Sequence, residues 1–303
     1  MQRLFIVYNP NSSRYGSVKN DVLNHATTDF NGYLVGKFAI EKTSFDANTK
    51  KLTKLLQDND LVLAAGGDAT AAIAANAILN SGKDAMLAVL PYGNFNDLAH
   101  TLKTTKLEEI LKKPHHTKTL YPLEISVDGE FFRYATCYVT IGMTAEAVEL
   151  FDDQKIRKNL QKGHKSSWRS YIYLATWYFK HRHKKVFLPP FKLNGKPVSN
   201  KTSDYCALNG RVMCRVMKGR EDYLNPRIFR SETCKLTSFW RLFILMAKSI
   251  LYRVPGTNTR KDELTFIDPA TVEIQAEGEY RVFKNIKKIT VKKGDKCLKV
   301  IHD

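Results

Sequence analysis

Two things are scarce in this 303-residue chain: cysteine, and acidic charge relative to basic. Cysteine occurs five times, as Cys137, Cys206, Cys214, Cys234 and Cys297, an odd number with no Cys-x-x-Cys pair. That spacing argues against a disulfide framework or a structural zinc and suits a reducing cytosol. Asp and Glu number 30 against 48 Lys and Arg, a formal net charge of +18. A balance so basic selects polyanionic partners: nucleotide phosphates, anionic lipid headgroups or nucleic acid. Long apolar runs are missing as well. Leu4 to Tyr8 has the length of a strand and stops at Asn9-Pro10, so it reads as no signal peptide. No low-complexity linker and no internal repeat interrupts the chain, and its length suggests one large domain or two.

What is present is organised around Leu61 to Asn76. An apolar strand, Leu61 to Ala65, runs into Gly66-Gly67-Asp68, and an alanine-rich helix follows from Ala69. Strand, glycine turn and helix N-terminus together make an anion site. The glycines let backbone amides approach a phosphate, and the helix end supplies unpaired N–H groups and partial positive charge. Asp68 is the discordant residue. A carboxylate beside phosphates repels them unless a divalent cation lies between, so the turn reads as a nucleotide–Mg²⁺ site. A purely structural strand–helix connection is the competing reading.

Taken in order, Leu4 to Tyr8 is a first strand, followed by the polar turn Asn9-Pro10-Asn11-Ser12-Ser13 and a helix over Ser17 to Ala26. A second strand is expected over Gly36 to Thr43, a helix over Ala47 to Gln57, and a fourth strand over Met86 to Leu90. Tyr92-Gly93-Asn94-Phe95-Asn96-Asp97 then enters a helix near Leu98. Strands alternating with helices imply an α/β domain, a parallel sheet with flanking helices. Ligands of such sheets sit beyond the C-terminal strand ends, where Asn9, Ser12, Asp68, Thr70, Asn96 and Asp97 would converge. Each of these, taken alone, is also an ordinary helix cap.

After about Leu120 short strand patterns dominate. Leu123 to Val127 and Phe131 to Ile141 flank the hairpin turn Asp128-Gly129. Further candidates are Val186 to Leu193, Asp204 to Leu208, Leu264 to Ile267, Val272 to Ala276, Glu279 to Phe283, Ile289 to Val291 and Leu298 to Ile301. The expected division is an α/β domain over 1–120 and a β-rich, mostly antiparallel domain with helical insertions over 121–303, its last strands free to pack back on the first. Between Lys155 and Lys192 there are eleven Lys/Arg and no Asp or Glu, interleaved with Trp168, Tyr171, Tyr173, Trp177, Tyr178 and Phe179. Ser238 to Val254 repeats the mixture with Phe239, Trp240 and Phe243. Charges interrupt both, so neither spans a membrane. Rings and cations together suit a membrane interface; a core-facing helix with a solvated basic face is the alternative.

The turns together resemble the diacylglycerol kinase catalytic family, which includes bacterial lipid kinases and sphingosine kinases. The family's opening Asn-Pro is matched by Asn9-Pro10-Asn11-Ser12-Ser13, and its Gly-Gly-Asp-Gly-Thr by Gly66-Gly67-Asp68-Ala69-Thr70. Its Pro-x-Gly-Thr-x-Asn-Asp-Phe-Ala is matched by Pro91-Tyr92-Gly93-Asn94-Phe95-Asn96-Asp97-Leu98-Ala99, and its late Asp-Gly-Glu by Glu277-Gly278-Glu279. Tyr138 to Val148, around Gly142 and Ala145, is similar to its Gly-Phe-Asp-Ala segment.

The resemblance implies an ATP-dependent lipid kinase with ATP and Mg²⁺ in the cleft between a nucleotide-binding and a lipid-binding domain. Asn9, Ser12, Ser13, Thr43, Gly93, Asn94 and Asn96 would contact the nucleotide, and Gly66, Gly67 and Thr70 its phosphates. Asp68 and Asp97, with Glu277 as a weaker candidate, would organise Mg²⁺. Glu279 would be the general base, with Asp68 the other catalytic residue. The implied partners are a diacylglycerol-like lipid and an anionic membrane surface at the cytoplasmic face. No nucleic acid is expected, and a homodimer is left open. The chain departs from the family at Asn94 for Thr, Thr144 for Asp and Ala69 for Gly. Asn209-Gly210 runs into Arg211 rather than Gly-Gly, and an Asp usual near Tyr121-Pro122 is absent. A Pro-x-Ala-x-x-x-Asp-Gly motif, associated with a second, structural metal, survives only as Pro226-Arg227-Ile228-Phe229-Arg230-Ser231-Glu232-Thr233. These departures bear on the structural metal and the lipid acceptor more than on ATP. A degenerate relative that binds nucleotide or lipid without transfer is the alternative, and an NAD kinase-like enzyme a more distant one.

Overall fold

The computed structural model describes residues 2–12, 14–26, 29–30, 32–93, 95–104, 106–112, 115–145, 187–213, 217–235, 244, 247–248 and 256–302. The first unit begins with β1 (Arg3–Tyr8), α1 (Tyr15–Val18) continued by a wider helical turn (Lys19–Leu23), β2 (Asp29–Phe30) and β3 (Tyr33–Ala39). It continues with α2 (Phe45–Leu55), β4 (Leu61–Gly66), α3 (Asp68–Ser81), β5 (Met86–Pro91), α4 (Asp97–Leu102), α5 (Leu107–Leu111) and β6 (Thr117–Leu120).

The remaining strands are β7 (Leu123–Val127), β8 (Glu130–Ala135), β9 (Tyr138–Gly142), β10 (Phe191–Leu193), β11 (Lys196–Pro197), β12 (Asp204–Leu208), β13 (Val212–Met213) and β14 (Met217–Lys218). A short turn of helix (Asp222–Leu224) precedes β15 (Phe229–Cys234), β16 (Thr257–Thr259), β17 (Lys261–Ala276), β18 (Glu279–Lys293) and β19 (Leu298–Ile301).

The first sheet has the order β2-β3-β1-β4-β5-β19-β6. β3, β1, β4, β5 and β19 run parallel, and β2 and β6 close the two edges antiparallel. Alternation along its strands divides the core. Phe5, Val7, Val62, Ala64, Leu87 and Val89 face α2 and α3, while Leu4, Ile6, Leu61, Leu63, Ala88 and Leu90 face Val18, Val22 and Ile110 on the other side. A strand buried on both faces must be apolar throughout, which is why Leu61–Gly66 has no polar position.

The second sheet is antiparallel, in the order β16-β15-β12-β9-β17-β18-β7-β8, with β10 and β11 branching from β17. Its core gathers Ile125, Val139, Ile141, Tyr205, Phe229, Leu264, Val272, Ile274 and Ile289. Tyr134, Tyr138, Cys206 and Leu208 instead join the core that holds α3. That helix therefore lies between the two sheets, and alanine at 71, 72, 74, 75 and 77 lets both approach it. Asn76 docks the second sheet there: its amide accepts from Tyr134 N at 2.9 Å and donates to Tyr134 O at 3.0 Å.

The α/β unit followed by a largely antiparallel one is the fold class the sequence implies; several boundaries differ from it. The strand expected over Gly36 to Thr43 ends at Ala39. Asn48 draws Glu41 and Thr43 into a loop through their backbone groups, and the Ser44 hydroxyl caps α2 at Ala47. The strand expected over Phe131 to Ile141 breaks at Thr136-Cys137, between β8 and β9. Two pairs of expected strands are single ones, β17 and β18, with register shifts between Thr265 and Val272. The basic–aromatic segment from Lys155 lies outside the described residues up to 186, as does most of Ser238 to Val254. Among the described residues no helix is long and apolar enough to cross a membrane.

Candidate active site at the strand ends

β4 and β5 end side by side, Gly66 opposite Pro91, and their two turns interlock. Gly67 and Gly93 meet backbone to backbone: a side chain on Gly93 would put its Cβ 2.3 Å from Gly67 Cα, which no residue but glycine can satisfy. Asn96 fastens the second turn. It adopts the left-handed conformation at φ 58°, accepts from Gly93 N at 2.6 Å and returns a hydrogen bond to Gly93 O at 2.9 Å. Asp68 ties the first turn to the second. One carboxylate oxygen accepts the Asn96 amide at 2.9 Å and the other the Asp97 amide at 2.6 Å, so Asp68 caps α4 from the start of α3.

The hairpin between β17 and β18 brings in the third carboxylate. Glu277 and Gly278 both take positive φ, the geometry of a two-residue hairpin turn. Glu277 is 3% exposed and accepts from the Cys137 amide and the Thr136 hydroxyl, in the break between β8 and β9. Burial pushes its pKa up to about 7, with Asp97 adding to the rise against these hydrogen bonds. Burial likewise raises Asp68, and Asp97 and Glu277 raise it further against the two amides that favour its charge. Burial and the same acids push the Cys137 thiol well above its ordinary value, so it stays protonated. Asp68 at the start of α3, Asp97 at the start of α4 and Glu277 in the hairpin thus form one acidic cluster.

Such a cluster is matched by a divalent cation. Among the described residues no three His, Cys, Asp or Glu could hold a metal ion by themselves. Asp68 and Asp97, on adjoining strand-end turns, are the one or two carboxylates that Mg²⁺ takes when it keeps water and shares phosphate oxygens.

The other expected residues fall as follows. Asn9 follows β1 on the same strand-end edge, where Tyr8 lies beside Ala65, and its Oδ1 holds the Asn11 amide at 2.8 Å. Ser12 Oγ is buried with no hydrogen-bond partner. Thr70 is buried against Gly66. Thr43 accepts from the Asn48 amide at 3.1 Å, on the loop before α2. Ser13 and Asn94 lie outside the described residues. Glu279 opens β18, partly buried, and its charge acts on Arg133. The hairpin carboxylate that acts on Asp68 is Glu277, while Glu279 acts on Arg133.

Arg133 escaped the sequence reading, because Phe131-Phe132-Arg133 on a strand looks like an ordinary solvent-facing alternation. The guanidinium lies 4.1 Å from the Phe45 ring centroid and 4.2 Å from that of Phe132, and 3.6 Å from Asp46. Burial lowers its pKa, opposed by Glu279 and Asp46. Arg281 repeats the arrangement over Phe132 and Phe283 and meets Asp46 at 3.1 Å. Arg133 on β8 and Arg281 on β18 fasten both strands to the start of α2, beside a cleft of about 210 Å³. At Thr144, where the family has Asp, the amide and hydroxyl both donate to Asp204, so a carboxylate from β12 stands at that turn.

Comparison with known proteins points the same way as the motifs. Residues 3–120 match the family profile of the diacylglycerol kinase catalytic domain. This is the family that the motifs resemble. A diacylglycerol kinase from Bacillus anthracis str. Sterne, 15% identical, superimposes with a TM-score of 0.65 over 100% of this chain and 97% of its own. Two further structures from that organism, 15% and 14% identical, give TM-scores of 0.68 and 0.70 over the same shares. At such identity these three report the fold. No curated protein matches the chain in sequence.

Proposed function

We propose that the chain is an ATP- and Mg²⁺-dependent lipid kinase of the diacylglycerol kinase family. It transfers the γ-phosphate to the hydroxyl of a diacylglycerol-like lipid, working peripherally at the cytoplasmic face of an anionic membrane. The observation that carries this reading is the acidic cluster of Asp68, Asp97 and Glu277 beside the Gly66-Gly67 turn. A carboxylate at a helix N-terminus whose pKa is raised by burial and by two neighbouring acids is arranged for a cation and phosphates together.

In this reading the amides of the α3 N-terminus orient the phosphates, and Mg²⁺ supplies neutralisation of their charge. The acceptor oxygen attacks the γ-phosphorus, its proton passes to a carboxylate, and the bond to the ADP oxygen breaks. Glu279 is the base we assign. Glu277 is buried and held by Thr136 and Cys137, whereas Glu279, on the same hairpin, is only partly buried, and the family's general base stands at its position. The β-rich unit and the basic–aromatic segments would receive the lipid. Transfer of labelled phosphate from ATP to a panel of lipids in mixed micelles tests the proposal. Turnover that needs both Mg²⁺ and a lipid hydroxyl supports it; nucleotide binding without transfer to any lipid would assign the chain to the non-catalytic alternative.

A further inference from the structure

The degenerate run Pro226 to Thr233 begins just after the short turn Asp222–Leu224. A second metal here would need carboxylate and carbonyl oxygens aimed at one point. The residues present do not offer that set to an ion. Asn225 spends its Oδ1 on the amides of Arg227 and Ile228, at 2.8 and 3.2 Å. The oxygens that do converge are already taken. Lys293 Nζ donates to Asp222 O at 2.6 Å, to Tyr121 O at 3.2 Å and to Asn209 Oδ1. An ammonium has three protons, and three oxygens receive them.

We infer that the Lys293 ammonium is the cation of this junction, a covalently tethered replacement for a bound metal ion. Lys293 is 5% exposed at the end of β18. Its three acceptors come from separate places: Tyr121 in the passage from β6 to β7, Asn209 just past β12, and Asp222 before β15. The same groups are cross-tied, since Asn209 Nδ2 donates to Tyr121 O at 3.0 Å and to Thr136 O at 2.7 Å, and Tyr121 N donates to Tyr223 O at 2.7 Å. One cation therefore joins the crossover between the sheets to the strand break that holds Glu277. Burial draws the lysine pKa down to about 7, Asp222 opposing, while carbonyl-type acceptors favour the charged form.

The inference does not rest on the kinase reading, and its test uses stability alone. Thermal unfolding is measured at slightly acid pH, without nucleotide, for the full chain and for Lys293→Ala and Lys293→Met. Both variants are expected to lose about 5 °C or more in midpoint. Lys293→Ala should regain part of that loss in ethylammonium or Ca²⁺, beyond any effect of the same solution on the unsubstituted chain, because an emptied oxygen cage accepts a free cation. A loss that neither cation lessens, or a Lys293→Met midpoint equal to the unsubstituted one, overturns the inference. If neither variant folds, amine labelling of the native chain followed by mass spectrometry decides: Lys293 should resist modification, and labelling as fast as that of exposed Lys261 overturns the assignment.

Discussion

Asp68 caps the helix that Asp97 begins: its carboxylate accepts the Asp97 amide at 2.6 Å, and Asp97 in turn raises the Asp68 pKa. The same contact fixes two motifs in register and sets two negative charges against each other. We predict that Asp68→Asn abolishes Mg²⁺-dependent turnover and also lowers stability by about 1 kcal/mol, since an amide replaces one of two accepting oxygens at the cap. Kinase assay and denaturant unfolding measure the two effects. Near-normal turnover in a folded variant would remove Asp68 from the metal site.

The hairpin carboxylates should separate. Glu279→Gln is expected to lower kcat by about 10²–10⁴-fold with ATP affinity nearly unchanged, the usual cost of losing a general base. Glu277→Gln should mainly raise the Mg²⁺ concentration needed for half-maximal rate. Mg²⁺ titrations of the two variants distinguish these roles, and a kcat loss confined to Glu277→Gln would transfer the base assignment to that residue.

The acidic cluster predicts an unusual pH dependence in the metal-free chain. Glu277 is raised to about 7 in the folded state, above its unfolded value. Its contribution to stability is therefore complete below the ordinary carboxylate range and is lost as pH rises through about 7. With Asp68 raised as well, stability should fall by about 2 kcal/mol or more between mildly acid and mildly alkaline pH. Glu277→Gln, which keeps an oxygen for Cys137 and Thr136, should flatten the curve. A metal-free chain that instead gains stability over that interval would contradict the cluster.

Gly93→Ala should prevent the two turns from docking, because its Cβ would fall 2.3 Å from Gly67 Cα. A backbone clash of this kind costs about 2 kcal/mol or more, and nucleotide binding should weaken with it. Calorimetric titration with a nucleotide analogue, alongside thermal unfolding, checks both; an unchanged pair of values would mean that the turns do not touch.

Membrane attachment is predicted from charge. Each Lys or Arg at an anionic surface contributes about 1 kcal/mol, so a few of the eleven between Lys155 and Lys192 suffice. Vesicle sedimentation should show binding that requires anionic lipid and weakens with salt. Equal binding to neutral vesicles, or tighter binding to DNA, would redirect the search for a partner.

How much of this was legible depended on whether a residue's partner was near in sequence. β4 was readable because a strand buried on both faces leaves an unbroken apolar run. The three strand-end turns were readable because glycine and capping residues are local signals. β6 was not, since Thr117–Leu120 is an edge strand with one buried residue and no alternation. β17 looked like two strands because Pro269 interrupts it; the register shift around that proline absorbs the missing donor. Asn76, Arg133 and Lys293 could not be assigned from sequence, because each works through partners more than fifty residues away.

The position of β19 has a consequence for synthesis. Residues 298–301 are wedged between β5 and β6, so those two strands cannot be bridged until that late segment has left the ribosome. Until then β5 presents an open, apolar sheet edge, the kind of surface that recruits chaperones or other nascent chains. The α/β half, although encoded first, is thus expected to mature last. Ribosome-stalled chains arrested before Leu298 should remain protease-sensitive through Met86–Pro91, and extending the arrest point past Ile301 should protect them.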